Sequence, residues 1–297
     1  MLIKSDGTTT YNFACVIDDF NIGITHIIRG DDHISNTPKQ VALYNALAMP
    51  LPKFCHIPMI LGVDRSRLSK RHGATSIRDY KEEGFLPEAL VNYLCLLGWS
   101  AGKDREIMPI DEVIKEFSLE KINKTAAVFD INKLLWVNSE YIRMIDISEL
   151  TDLIVDALKK ENLLKDKVDK NWVSDVVKLF RERVRTVYDF IELAGCFFKD
   201  DFEYDPDGVK KFFTADTKKI FPELIERFRD IKNFDVVNIE NAVRSLADGL
   251  GVKAAKIIHP VRVAITGKTV GAGLFETVAL LGKEKTIERL KKIITKL

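Results

Sequence analysis

Residues 65–73 read Arg-Ser-Arg-Leu-Ser-Lys-Arg-His-Gly, five potential cations in nine positions, with Gly62 before them and Gly73 after. Such a loop can wrap an anion. Lysine supplies a point charge, and a serine hydroxyl and backbone N–H groups supply donors that suit phosphate oxygens. Taken alone, the stretch reads equally well as a solvated basic loop. A second set of chemically able residues lies earlier, at Tyr11, Arg29, Asp31, Asp32 and His33. Arg29 follows an apolar run, Ile24 to Ile28, and so emerges at a strand's carboxyl end, where open α/β sheets place ligand sites. An arginine there is also an ordinary surface ion-pair partner. Tyr11 can donate its phenol or pack in a sheet, and Asp31, Asp32 and His33 can border a pocket or cap the next helix.

The elements that must position these groups alternate. Residues 9–18 carry β-branched and aromatic side chains with Tyr11, Phe13 and Cys15 on one alternating face, a pattern that predicts a strand. Residues 24–28 and 53–61 read as buried strands, and 37–48 as a helix with Asn36 as its cap and Pro38 in its first turn. The basic loop follows the apolar run Ile57 to Leu61 and precedes a helix signalled by Ser76-Ile77-Arg78-Asp79 and closed at Gly84. Pro87 opens another, with Leu90, Tyr93, Leu94 and Leu97 on one face. Helical spacing recurs at 111–117, 132–143, 148–160, 172–192, 216–229, 238–249, 252–265, 274–281 and 284–296. Asp200 to Gly208, rich in Asp and containing Pro206, reads as a boundary. The fold class is therefore mostly α: a short α/β remnant, too small for a complete sheet domain, followed by helical bundles.

The 297 residues carry 45 basic and 44 acidic side chains, so no global field draws the chain to nucleic acid or membrane, and a polyanion must be held by local patches. Cys15, Cys55, Cys95 and Cys196 are dispersed without a C-x-x-C pair or neighbouring histidines, which argues against a zinc site and suits a reducing cytosol. No apolar run approaches bilayer-spanning length. Trp99, Trp136 and Trp172 read as packing residues, Cys95 as a core residue, and His56, in an apolar strand, as a structural imidazole.

Arg67-Leu68-Ser69-Lys70-Arg71 fits the lysine-serine-lysine signature loop of class I aminoacyl-tRNA synthetases, and its flanks extend the match. They include Ser5-Asp6-Gly7-Thr8-Thr9-Thr10-Tyr11-Asn12-Phe13-Ala14, Gly23 to His33, Ser35-Asn36-Thr37-Pro38-Lys39-Gln40 and, late in the chain, Thr266-Gly267 and Gly273-Leu274-Phe275-Glu276. With these in view the whole chain resembles bacterial-type glutamyl-tRNA synthetase. That resemblance implies a Rossmann-like catalytic remnant over 1–62, a signature loop and tRNA stem-contact domain over 63–146, and helical anticodon-binding subdomains over 147–204 and 205–297. It implies activation of glutamate by ATP and transfer to the 3′ end of tRNA(Glu) in the cytoplasm by a monomeric parent enzyme, with Mg²⁺ carried by ATP and neither zinc nor membrane involved.

Residue by residue, the resemblance makes Lys70 the catalytic cation that meets the charge growing on pyrophosphate. It makes Arg67, Leu68, Ser69, Lys70, Arg71, Asp31, Asp32 and His33 the ATP-binding set, and Tyr11 and Arg29 the glutamate contacts. Arg67 departs from the family's usual lysine but keeps the charge. His72 is not needed as a base, because the attacking carboxylate is already ionised. Arg262 and Lys268 are the expected anticodon neighbours. Arg181, Arg183 and Arg185 fall at alternate positions of an expected helix, so that Arg183 would point away from the other two. The family's His-x-Gly-His element is absent from the sequence. The chain is therefore expected to be a fragment, engineered or natural, that cannot activate glutamate alone and that exposes sheet edges. A free-standing tRNA-binding module is the alternative; retention of Tyr11, Arg29 and Lys70 favours the fragment. A glutaminyl ligase and a short tRNA-modifying paralogue fit less well.

Overall fold

The computed structural model describes residues 2–69, 71, 73, 76–102, 105–164 and 169–295. The chain divides into two compact units, Met1–Asn138 and Ser139–Leu297.

In the first unit, α1 (Tyr11–Ile22) precedes β1 (His26–Gly30), a 3-10 turn (Asp31–Asn36), α2 (Thr37–Ala46) and β2 (Lys53–Ile57). The strands are parallel, with Arg29 opposite His56, and among the described residues they form a two-stranded sheet. This is a βαβ unit: parallel strands require a crossover, here supplied by α2. Apolar side chains remain on its surface, notably Ile22 at 74% and Ile28 at 48% exposed. Beyond β2 come α3 (Ile77–Glu82), α4 (Pro87–Gly98), α5 (Ile110–Glu116) and the start of α6 (Ile131–Met144). Ser76 and Asp79 cap α3 reciprocally, as the sequence predicts. Tyr80, Phe85, Tyr93 and Phe129 form an aromatic cluster beneath α4. Trp99 packs with Met108 and Val113, and the half-buried Cys95 lies against them.

The second unit holds α7 (Ile147–Lys160), α8 (Lys170–Phe180), α9 (Val187–Ala194), α10 (Pro206–Phe212), α11 (Ala215–Asp230), α12 (Val236–Gly249), α13 (Ala255–Thr266), α14 (Leu274–Leu281) and α15 (Lys283–Ile294). Phe180, Phe190 and Phe197 meet edge to face at its centre. Trp172 donates from Nε1 to the Leu280 carbonyl at 2.9 Å, tying α8 to α14.

The structure corrects several sequence expectations. Residues 11–18 are helical, not a strand. The inward positions Asn12, Cys15, Val16 and Asp19 follow a helical period, but two are polar, and Asn12 accepts from Gln40 of α2 at 3.1 Å. Polar groups on the packed face hid the 3.6-residue spacing. The expected helix 172–192 is broken after the 3-10 turn Arg181–Arg183, because Thr186 and Asp189 form a fresh capping box that starts α9. The expected boundary at 200–208 contains the start of α10, capped by Asp205 and led by Pro206. Leu94 is 40% exposed, and so leaves the buried face of α4. Trp136 is 38% exposed with the Lys133 ammonium 4.0 Å above its ring, a surface cation–π pair rather than a core contact.

Candidate substrate and RNA sites

The carboxyl ends of β1 and β2 lie side by side, and Arg29 and His56 face each other across them. Arg29 donates from Nη2 to Thr37 Oγ1 at 2.7 Å and from Nε toward His56 Nε2 at 3.5 Å. Its guanidinium lies 5.6 Å from the Phe54 ring centroid. Tyr11, the first residue of α1, brings its hydroxyl to 3.3 Å from His33 Nδ1, and the two rings are 5.9 Å apart. Partial burial pushes the Tyr11 phenol up, with Cys15 adding to this and the Arg29 cation opposing it. Burial likewise raises the Asp19 carboxyl, again against Arg29. Tyr11, Asp19 and Arg29 therefore share one electrostatic neighbourhood.

Asp31 lines a cleft of about 570 Å³ together with Cys55, His56, Pro58 and Lys124. Asp32 folds back over Gly30, where a Cβ would sit 2.6 Å from its Oδ1, so only glycine permits that approach. Asp32 also meets the basic loop, its carboxylate 3.6 Å from Arg67. The start of that loop is a tight turn. Gly62 N–H donates to the Ser66 carbonyl at 2.8 Å, Asp64 Oδ1 accepts from Ser66 N–H and hydroxyl, and Leu68 N–H returns to Ile60 at 3.0 Å. Arg71 bonds back to Ser66 Oγ at 2.5 Å and pairs with Asp64 at 3.3 Å. The fold thus brings Arg67 to the candidate pocket and turns Arg71 onto the loop itself. Lys70 and His72 lie outside the described residues.

Sequence reasoning missed Thr37 and assigned His56 to structure alone. The strand–helix–strand order was visible, but the register that sets His56 opposite Arg29 was not.

In the second unit, Arg262 donates from Nη1 to the Ala272 carbonyl at 2.5 Å. Burial lowers its pKa from the usual arginine value, the Arg183 cation lowers it further, and Glu276 opposes both. Lys268 pairs with Glu192 at 3.0 Å. Arg262 and Lys268 are therefore held by different partners, although one turn joins them: Thr266 Oγ1 donates to the Arg262 carbonyl at 2.7 Å and accepts from Lys268 N–H at 3.1 Å. Gly267 in that turn has φ +75°, and a Cβ there would lie 2.2 Å from the Glu203 carbonyl.

The arginines at 181, 183 and 185 do not share a helix. Arg181 donates to the carbonyls of Ile142, Arg143 and Ile145 at the end of α6. Arg185 pairs with Asp189 at 3.6 Å. Arg183 is exposed and close enough to perturb Arg262, so the residue expected to point away is the one beside the candidate anticodon contact.

Comparison with known proteins accounts for both units. The catalytic domain of class I tRNA synthetases (E and Q) matches residues 1–136, and an anticodon binding domain matches residues 149–294. The chain belongs to the class I glutamyl- and glutaminyl-type tRNA synthetase family. It is 45% identical over 296 residues to glutamate–tRNA ligase 2 of Caldicellulosiruptor saccharolyticus, covering 100% of this chain and 61% of that protein. It is also 45% identical to the glutamate–tRNA ligase of Moorella thermoacetica, covering 98% of this chain and 60% of that protein. A crystal structure of the glutamate tRNA ligase from Elizabethkingia meningosepticum, in complex with its amino acid, superposes with a TM-score of 0.88 at 31% identity, covering 100% of this chain and 62% of that one. The chain thus spans about three-fifths of the length of the curated relatives it matches.

Proposed function

We propose that this chain carries the amino-acid grip, part of the ATP site and the tRNA-reading region of a glutamate–tRNA ligase. In the whole reaction a glutamate carboxylate attacks the α-phosphate of ATP, pyrophosphate leaves, and the glutamyl group passes from the adenylate to the terminal ribose of tRNA(Glu). Chemistry of this kind depends on positioning and on countering charge as it develops.

The observation that carries the reading is Arg29. Its guanidinium is fixed at the carboxyl end of β1, beside Tyr11 and His33, with two of its nitrogens engaged by protein. A planar fork so held suits a glutamate carboxylate. The Arg67–Asp32 pair supports an ATP site at the same edge, where Ser69, Arg71 and the charge of Lys70 would meet the phosphates with Mg²⁺ brought by the nucleotide. Among the described residues no cluster of His, Cys, Asp or Glu could hold a metal. Among them, too, no helix is long and apolar enough to cross a membrane; a cytoplasmic place for the reaction belongs to the proposal.

Arg183 and Arg262 form the basic pair we assign to tRNA, with Lys268 on the adjoining turn. Single-stranded anticodon bases are open to such side chains, as duplex A-form grooves are not. Finer divisions at 62/63 and 204/205 belong to the same reading, as does a monomeric parent enzyme.

The chain has no His-x-Gly-His sequence to complete the nucleotide site, so it is expected to bind tRNA(Glu) yet give no glutamate-dependent ATP–pyrophosphate exchange. Robust exchange by this chain would overturn the second expectation, and salt-insensitive or absent tRNA binding the first. A free-standing tRNA-binding module predicts no glutamate binding at all, so a glutamate titration separates the two.

A further inference from the structure

The register of the sheet sets Arg29 opposite His56, so both side chains rise from the same face. Thr37, the first residue of α2, closes a three-membered ring with them. Arg29 Nη2 lies 2.7 Å from Thr37 Oγ1, Thr37 Oγ1 lies 2.9 Å from His56 Nε2, and Arg29 Nε lies 3.5 Å from the same nitrogen. Each corner comes from a different element: β1, α2 and β2.

Counting donors and lone pairs favours one arrangement of hydrogens in this ring. A guanidinium only donates, so Thr37 Oγ1 accepts from Arg29 and must send its own hydrogen elsewhere. Its two possible acceptors are the His33 carbonyl at 3.4 Å and His56 Nε2 at 2.9 Å; the shorter contact takes the hydrogen. The approach of Arg29 Nε–H selects the arrangement in which His56 Nε2 carries a lone pair facing two donors, with the ring proton on Nδ1. Thr37 and His56 thus engage two of the three guanidinium nitrogens, and the Tyr11 phenol lies close enough to feel the Arg29 cation.

We propose that Thr37 and His56 are positioning residues that hold the Arg29 guanidinium ready for a carboxylate, and that they do so only while His56 Nε2 is unprotonated. The proposal rests on the reading of Arg29 as the glutamate grip. A long arginine side chain loses rotamer freedom when it binds, and a site that has already ordered it avoids that loss at the moment of binding. A proton on Nε2 would turn the acceptor into a donor facing Arg29 Nε–H, and would place a second cation beside the guanidinium. The other charged or titratable groups facing His56 are Cys55 beside it on β2, Asp31 from the 3-10 turn, and Glu120 and Lys124 from the 119–124 segment. With Arg29, the fixed charges are two of each sign, and Arg29 is the one in direct contact. A proton on His56 Nε2 should therefore loosen the grip.

Two measurements on this chain test the proposal. Long-range ¹H–¹⁵N spectra should show His56 at neutral pH with Nε2 unprotonated, and Arg29 Nε–H protected from exchange until His56 titrates. Glutamate titration should give a dissociation constant raised about tenfold by Thr37→Val, which removes the hydroxyl at constant shape, and restored to within about twofold by Thr37→Ser. ATP binding should not change in either variant. Thr37→Val binding glutamate like the wild type, or a protonated Nε2 coexisting with a protected Arg29 Nε–H, would overturn the proposal. A wild-type chain indifferent to glutamate would refute the reading of Arg29, and with it the purpose of the clamp, while the spectra would still decide the clamp itself.

Discussion

Arg181 and Arg183 stand two residues apart, and we assign them opposite duties. Arg181 donates to three carbonyls at the carboxyl end of α6, those of Ile142, Arg143 and Ile145. The last carbonyls of a helix lack intrahelical partners, and the negative end of its dipole favours a cation there. A hydrogen bond with one charged partner contributes about 1.5–3 kcal/mol net. The three in question share one half-buried guanidinium, and water can reach part of what its removal exposes, so their sum is not additive. Replacement by Met should keep most of the packing of the stem and cost about one such bond plus the dipole term, about 2–4 kcal/mol. Arg183→Ala removes an exposed cation that lies near Arg262, and should change stability by less than about 0.5 kcal/mol. Urea unfolding followed by circular dichroism reads the first quantity, and tRNA binding across a salt series reads the second. Arg181→Met should lower the unfolding midpoint and leave the salt slope of binding unchanged. Arg183→Ala should leave the midpoint unchanged and reduce the slope by about 0.7–0.9, the share of one neutralised phosphate. The opposite pattern, with Arg181 governing binding and Arg183 governing stability, would refute the assignment.

Other consequences are as direct. Gly267→Ala forces a Cβ into left-handed backbone against the Glu203 carbonyl, and should destabilise the second unit by on the order of 3 kcal/mol, seen as a lower unfolding midpoint. Asp200 is held below the usual carboxylate range by its hydrogen bond to Lys285 and by Arg289. A depressed folded-state pKa contributes stability above the unfolded value and loses it as the pH falls through the folded one. Asp200→Asn should therefore lower the unfolding midpoint slightly at pH 7, and the difference from wild type should shrink below the usual carboxylate pKa and vanish only below the depressed folded-state value. Burial pushes the Cys196 thiol up, against the pull of Arg289, so Cys196 should resist iodoacetamide at pH 8 in the native chain and react once the chain is unfolded.

What the sequence revealed and what it hid have physical causes. Most helices of the second unit were legible because they bury an apolar stripe at helical spacing, as Ile220, Phe221, Leu224, Ile225 and Phe228 do in α11; the short α10, whose buried residue is Gly208, carries no such stripe. The place of Arg29 at a strand's carboxyl end was legible because the apolar run before it reads as a buried strand. The helix α1 was not legible, because Asn12 and Asp19 lie on its inward face. The break between α8 and α9 was written in Thr186 and Asp189, a capping pair that apolar periodicity alone outvoted. Thr37 and His56 could not be joined to Arg29 from sequence, since strand register brings together residues 8 and 27 positions away from it. Arg183 was misdirected for a related reason: a 3-10 turn replaced the expected α-helical turn, and side-chain directions follow the local period.

The central claim is that the carboxyl end of β1 grips a glutamate carboxylate through Arg29. A crystal structure of this chain soaked with L-glutamate tests it most directly. The account predicts a carboxylate oxygen within hydrogen-bond distance of the Arg29 guanidinium, with the Thr37 and His56 contacts intact and the Tyr11 hydroxyl nearby. Glutamate bound elsewhere, or at this edge with Arg29 turned away, would contradict it.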